Sequence, residues 1–177
     1  MSKLNLDDLK MGYFLVFKGG DSLISRVIKK EQREVGIEDD DAEFTHVEIS
    51  GGGPWSIGAL WPRSKIINIQ KSYRGRFTKV VRYREYGDDN KRYKVSFFGA
   101  SRCNLPYGWF SGLWFVLNDW FKNLLPWASA KRPFCSLLCA YALKKVYPGS
   151  FEDYRTVLPG HFLDDEKFEV VWEGVVE

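Results

Sequence analysis

The sequence predicts one α+β domain built on a central antiparallel sheet. Three observations lead there. Short aromatic and β-branched runs with period-two alternation fill the middle of the chain, helix-spaced apolar residues dominate its second half, and no repeat or low-complexity linker separates the two. At 177 residues the chain is long enough to bury a core without staples, so residues 1–177 read as a single domain.

The elements follow in order. After a polar lead with Leu6 to Leu9, Gly12–Lys18 (GYFLVFK) is an aromatic and β-branched run closed by Gly19-Gly20, the mark of a buried strand. Asp21 is placed to cap a helix over about Ser22–Glu31, with Leu23, Ile24, Val27 and Ile28 on one face. An acidic loop spans Glu38 to Glu43. Phe44–Ser50 (FTHVEIS) then alternates as a strand, with Phe44, His46, Glu48 and Ser50 on one side and Thr45, Val47 and Ile49 on the other. The turn Gly51-Gly52-Gly53-Pro54 leads into Trp55–Trp61, and strands near Lys65–Ile69 and Thr78–Tyr83 read as a continuing antiparallel meander. From Lys91 the period changes to helix, with Val95, Phe98 and Cys103 near one stripe. Leu105-Pro106-Tyr107-Gly108 breaks it, and an aromatic helix runs to about Leu125. Pro133 suits a first helical position, and Leu137, Leu138, Tyr141, Ala142 and Val146 give the next helix a buried face. Phe168–Trp172 closes the chain as a last strand.

Composition narrows the function classes. With 26 basic and 23 acidic residues the net charge is +3, and the one dense basic stretch, Arg74 to Arg84, alternates with apolar residues, so nucleic-acid binding is not suggested. The apolar region Trp109–Trp127 is broken by Asn118, Asp119, Lys122 and Asn123, short of the roughly 20 uninterrupted residues of a membrane span. Three cysteines, two of them one helical turn apart at Cys135 and Cys139, do not make a disulfide framework. The polar start carries no secretory pattern, and the expected location is cytoplasmic. The acidic run Glu38 to Glu43 lacks the ligand spacing and Gly turn of a calcium loop, and no metal site is expected.

Chemistry points to Cys135 and His46. Cys135 falls in the first turn of its helix, where free amides and the dipole favour an anion and can lower a thiol pKa. The same amides can hold the oxyanion of a tetrahedral intermediate, an interaction worth roughly 3–4 kcal/mol. On position alone Cys135 also fits a small buried core residue, and His46 a structural histidine. Cys139, deeper in the helix, and Cys103 read as core packing, and His161 as a surface loop residue.

Together, GYFLVFKGGDSLISRVI, FTHVEIS with its Gly-rich turn, PWSIGALWP, LPYGW, RPFCSLLCAYAL and VLPGHFLDDEKFEVV resemble, in that order, the permuted papain-like branch of the NlpC/P60 cysteine hydrolase superfamily. The resemblance covers most of the chain. It implies a circularly permuted papain-like fold, an antiparallel sheet packed against helices that include the cysteine helix, with Cys135 as nucleophile and His46 as general base. Tyr107, with Trp109 beside it, would line the substrate cleft. Relatives usually carry a polar residue, often Glu, on the strand after the histidine to orient the imidazole, and the matching position here is Gly58. That leaves Ser56, on the same strand face, and Glu48, on the histidine's own strand, as the candidate orienting residues.

The implied activity is hydrolysis of an amide, in a cell-wall peptide (peptidoglycan) or a related small amide, through an acyl-thiol intermediate and without a cofactor. Two other readings stand beside it. One is a lipid ester or thioester hydrolase or acyltransferase using the same dyad, with an acyl chain held near the Trp-rich segment. The other is a binding or structural module that kept the fold and lost efficient chemistry. A bacterial cytoplasm or a bacteriophage particle suits such a protein.

Overall fold

The computed structural model describes residues 4–106 and 134–177. Six strands form one sheet: β1 (Phe14–Lys18), β2 (Phe44–Gly52), β3 (Trp55–Leu60), β4 (Arg63–Asn68), β5 (Phe77–Tyr83) and β6 (Phe168–Val175). Their spatial order is β4-β3-β2-β1-β5-β6, and every neighbouring pair is antiparallel. The architecture is α+β.

β1 sits at the centre because its side chains allow nothing else. Phe14, Leu15, Val16 and Phe17 are all fully buried, so both faces need cover and both edges need a partner. This demand breaks the expected meander. β2, β3 and β4 do follow one another by hairpins, but β5 does not pair with β4. The chain leaves β4 through α3 (Ile69–Tyr73) and returns to lay β5 against the free edge of β1, with Phe14 opposite Val81. β6 then covers β5 and is three residues longer than the sequence pattern suggested, ending at Val175.

One sheet face packs on α4 (Asp89–Ala100) and α5 (Cys135–Val146), and its core joins Phe14, Val16, Val47, Ile49, Leu138 and Phe162. Gly99 lets α4 approach closely, since a Cβ there would fall 2.6 Å from the Ile49 Cδ1. The other face is smaller. It holds Leu15, Phe17, Ile67, Ile69, Tyr73 and Val80 and is closed by Leu4, Leu6 and Leu9 from the N-terminal lead.

The first helix departs from expectation. α1 runs Leu23–Glu34, and its cap is Ser22, whose hydroxyl accepts the Ser25 amide at 3.2 Å, not Asp21. Of the apolar stripe, Leu23 and Ile24 are 77% and 53% exposed, and the one fully buried residue of α1 is Gln32. The helix is docked through its C-terminal half, where Gln32 Nε2 donates to the carbonyls of Ala42 and Phe44 and Gln32 Oε1 accepts the Gly160 amide.

The acidic run is not a plain loop either, although Glu38, Asp39 and Asp40 are exposed to solvent. Asp39–Ala42 forms one helical turn, α2, with Asp39 paired to Arg33, Asp41 to Lys79, and Glu43 to both Lys29 and Arg33. Cys103, expected within a helix, lies in the turn after α4 and is partly buried. A last short helix, α6 (His161–Asp164), precedes β6.

Candidate active site

The site begins with an interruption in the sheet. The Ser50 amide donates to Tyr13 O at 2.7 Å, so even-numbered residues of β2 turn their backbone groups toward β1 and odd-numbered ones toward β3. Yet β2 and β3 pair only from Ile49 to Gly52. Val47 therefore presents an amide and a carbonyl to an edge without a strand partner, and α5 fills the opening. The Val47 amide faces the Cys135 sulfur, and Cys139, one turn on, donates its thiol to the Val47 carbonyl at 3.7 Å. Both cysteines are buried, and burial pushes the Cys139 thiol well up, which keeps it protonated.

Cys135 is the first residue of α5. The preceding cap position is Phe134, which supplies no side-chain acceptor to the first-turn amides. No cap side chain occupies those amides, and that of Ser136 faces the Cys135 sulfur. Burial opposes ionisation of the Cys135 thiol most strongly, but the neighbouring His46 imidazolium and the amides of Val47 and Ser136 outweigh it and hold the thiol below its ordinary value.

His46 lies at the start of β2, with its side chain 14% exposed. Its Nε2 is 2.9 Å from Glu48 Oε1 and 3.1 Å from the Tyr73 hydroxyl. Nδ1 is thus the ring nitrogen left for the Cys135 sulfur. Burial alone would lower the imidazole pKa, but the thiolate of Cys135 and the carboxylate of Glu48 override it and push it up to about 10. Both shifts favour a thiolate–imidazolium pair.

Glu48 is fully buried and its carboxylate is fully engaged. Oε1 accepts from Tyr73 and from the His46 Nε2–H, and Oε2 accepts from the Ser56 hydroxyl. The two orienting candidates therefore occupy different places: Glu48 touches the imidazole directly, whereas Ser56 touches Glu48. Gly58 explains how the acid fits. A Cβ at this position would fall 2.6 Å from Glu48 Cδ and 2.8 Å from Ile67 Cδ1, so the absence of a side chain on β3 makes the room that the β2 carboxylate occupies.

Tyr73 is the residue that sequence reading missed. It ends α3, and its ring stacks on Phe17 with centroids 4.0 Å apart. Burial and the adjacent Glu48 raise the phenol far above its ordinary value, so it stays a hydrogen-bond donor. Nothing local in IQKSYRGR marks it, because its partners lie 25 and 27 residues earlier. Tyr107, Trp109 and the Trp-rich segment lie outside the described residues. His161 is away from this cluster: its Nδ1 accepts the Leu158 amide at 2.9 Å, and burial lowers its pKa.

Among the described residues, no group of three His, Cys, Asp or Glu is placed to hold a metal ion, and no helix is long and apolar enough to cross a membrane. No protein-family model matches the chain, and no match is found among curated proteins.

Proposed function

We propose that this protein is a cysteine-nucleophile hydrolase of the permuted papain-like NlpC/P60 type, acting on an amide in a cell-wall peptide or a related small molecule through an acyl-thiol intermediate. The observation that carries the reading is the line Cys135–His46–Glu48, in which a thiol at an uncapped helix start meets an imidazole whose far nitrogen is held by a buried carboxylate.

In this reading the Cys135 thiolate attacks the carbonyl carbon, and the first-turn amides of α5 receive the developing oxyanion. His46 then gives its proton to the departing amine. Neutral His46 takes a proton from water, the resulting hydroxide attacks the thioester, and the acid product leaves Cys135 as thiolate. Glu48 keeps the imidazole in one orientation throughout.

The binding-module alternative drew its force from Gly58. That position is filled from β2 by Glu48, which favours chemistry over a retained scaffold. The reading is tested by iodoacetamide labelling with mass-spectrometric assignment. Fast modification at Cys135, extending well below the ordinary thiol pKa of about 8.5 and lost in His46→Ala, is the expected result. Slow labelling indifferent to His46 would sink it.

A further inference from the structure

We propose that Tyr73 is a positioning residue of this site, binding both partners of the His46–Glu48 contact so that removing its hydroxyl narrows the pH range over which the Cys135–His46 ion pair persists. The proposal rests on the hydrolase reading above.

The geometry is specific. The phenol oxygen is 3.1 Å from His46 Nε2 and donates its hydrogen to Glu48 Oε1, closing a triangle with the 2.9 Å Nε2–Oε1 contact. One hydroxyl therefore does two jobs. As a donor it binds the carboxylate of the fully buried Glu48, and as an acceptor it shares the Nε2–H of the imidazolium. The second role favours the charged imidazole directly, and the first holds in place the carboxylate that accepts from it.

Among the described residues, four further elements face His46 and Glu48. β2 offers Glu48, α5 offers Cys135 with Cys139 behind it, β3 offers the Ser56 hydroxyl, and β1 offers only the uncharged Phe17. α3 supplies Tyr73, and just beyond it the exposed Arg76 places its guanidinium 5.8 Å from the Tyr73 ring centroid. Arg76 opposes the rise in the phenol pKa and so improves Tyr73 as a donor. Ser56 holds the other carboxylate oxygen, which leaves Tyr73 the sole described side chain besides His46 on Oε1.

The test compares iodoacetamide alkylation of Cys135 across pH in the full chain and in Tyr73→Phe, which keeps the ring stacked on Phe17. In the parent protein, loss of the His46 proton is expected near pH 10. In Tyr73→Phe that step should move down by about one pH unit, a tenfold change in the proton equilibrium, while circular dichroism stays unchanged. An unshifted step in a folded Tyr73→Phe overturns the proposal while leaving the hydrolase reading intact. A parent Cys135 that shows no dependence on His46 sinks both. Should Tyr73→Phe not fold, NMR of the parent decides: a slowly exchanging Tyr73 hydroxyl proton with a cross-peak to the His46 Nε2–H is expected, and its absence overturns the assignment.

Discussion

The carboxylate of Glu48 lies against the backbone of Gly58, occupying on β2's behalf the space that a side chain on β3 would fill. An orienting acid for His46 is thereby supplied from two residues along the histidine's own strand, and the neighbouring strand contributes a gap.

That relationship predicts a coupled pair. Gly58→Ala should destabilise the fold by about 1–3 kcal/mol through overpacking against Glu48 Cδ and Ile67 Cδ1. In a Glu48→Ala background most of the carboxylate clash is gone, so the same substitution should cost less. Urea unfolding of the four proteins of the cycle measures the coupling, and equal costs in both backgrounds would refute it.

Glu48→Gln keeps the size of the side chain and removes its charge. The imidazolium then loses its ionic partner, and hydrolytic turnover should fall by roughly 10²- to 10⁴-fold, with little change in substrate KM. Circular dichroism and unfolding midpoints separate this from a loss of fold.

Alkylation of Cys135 should trace the ion pair on both sides. Its acid limb belongs to the Cys135 thiol, held below its ordinary value, so reactivity should persist below pH 8.5 and fall as the thiolate is protonated. On the alkaline side, the step near pH 10 belongs to His46. Its folded pKa is raised above the unfolded value of 6.5, so the stability it contributes is fully present below about 6.5 and is lost as pH rises through about 10. Proton NMR of the two histidines checks the same point: His161 should titrate below 6.5, and His46 far above it.

Gln32 ties α1 to two other parts of the fold. Gln32→Leu would leave the Ala42 and Phe44 carbonyls and the Gly160 amide without this partner in a buried setting. A loss of about 2–4 kcal/mol is expected in urea unfolding. By contrast Leu23→Gln, at the exposed start of the same helix, should change stability by no more than about 0.5 kcal/mol.

The sequence by itself determined the six strands and the longer helices α1, α4 and α5, because alternation in FTHVEIS and the buried run FLVF are local signals written in side-chain size and polarity, but it did not mark the short helices α2, α3 and α6. It also singled out Cys135 and His46, since a helix start and a strand are each read within a few residues. Tertiary structure alone decided the rest. That β5 pairs with β1 and not β4 follows from the need of a doubly buried strand for two partners. The choice between Glu48 and Ser56 beside the imidazole depended on room at Gly58, and the part of Tyr73 depended on α3 folding back over β1 and β2. Even the place of Cys135 rests on where the β2–β3 ladder stops, leaving Val47 to be met by the cysteine helix. Such contacts join residues tens of positions apart, and periodicity along the chain carries no record of the distances between them.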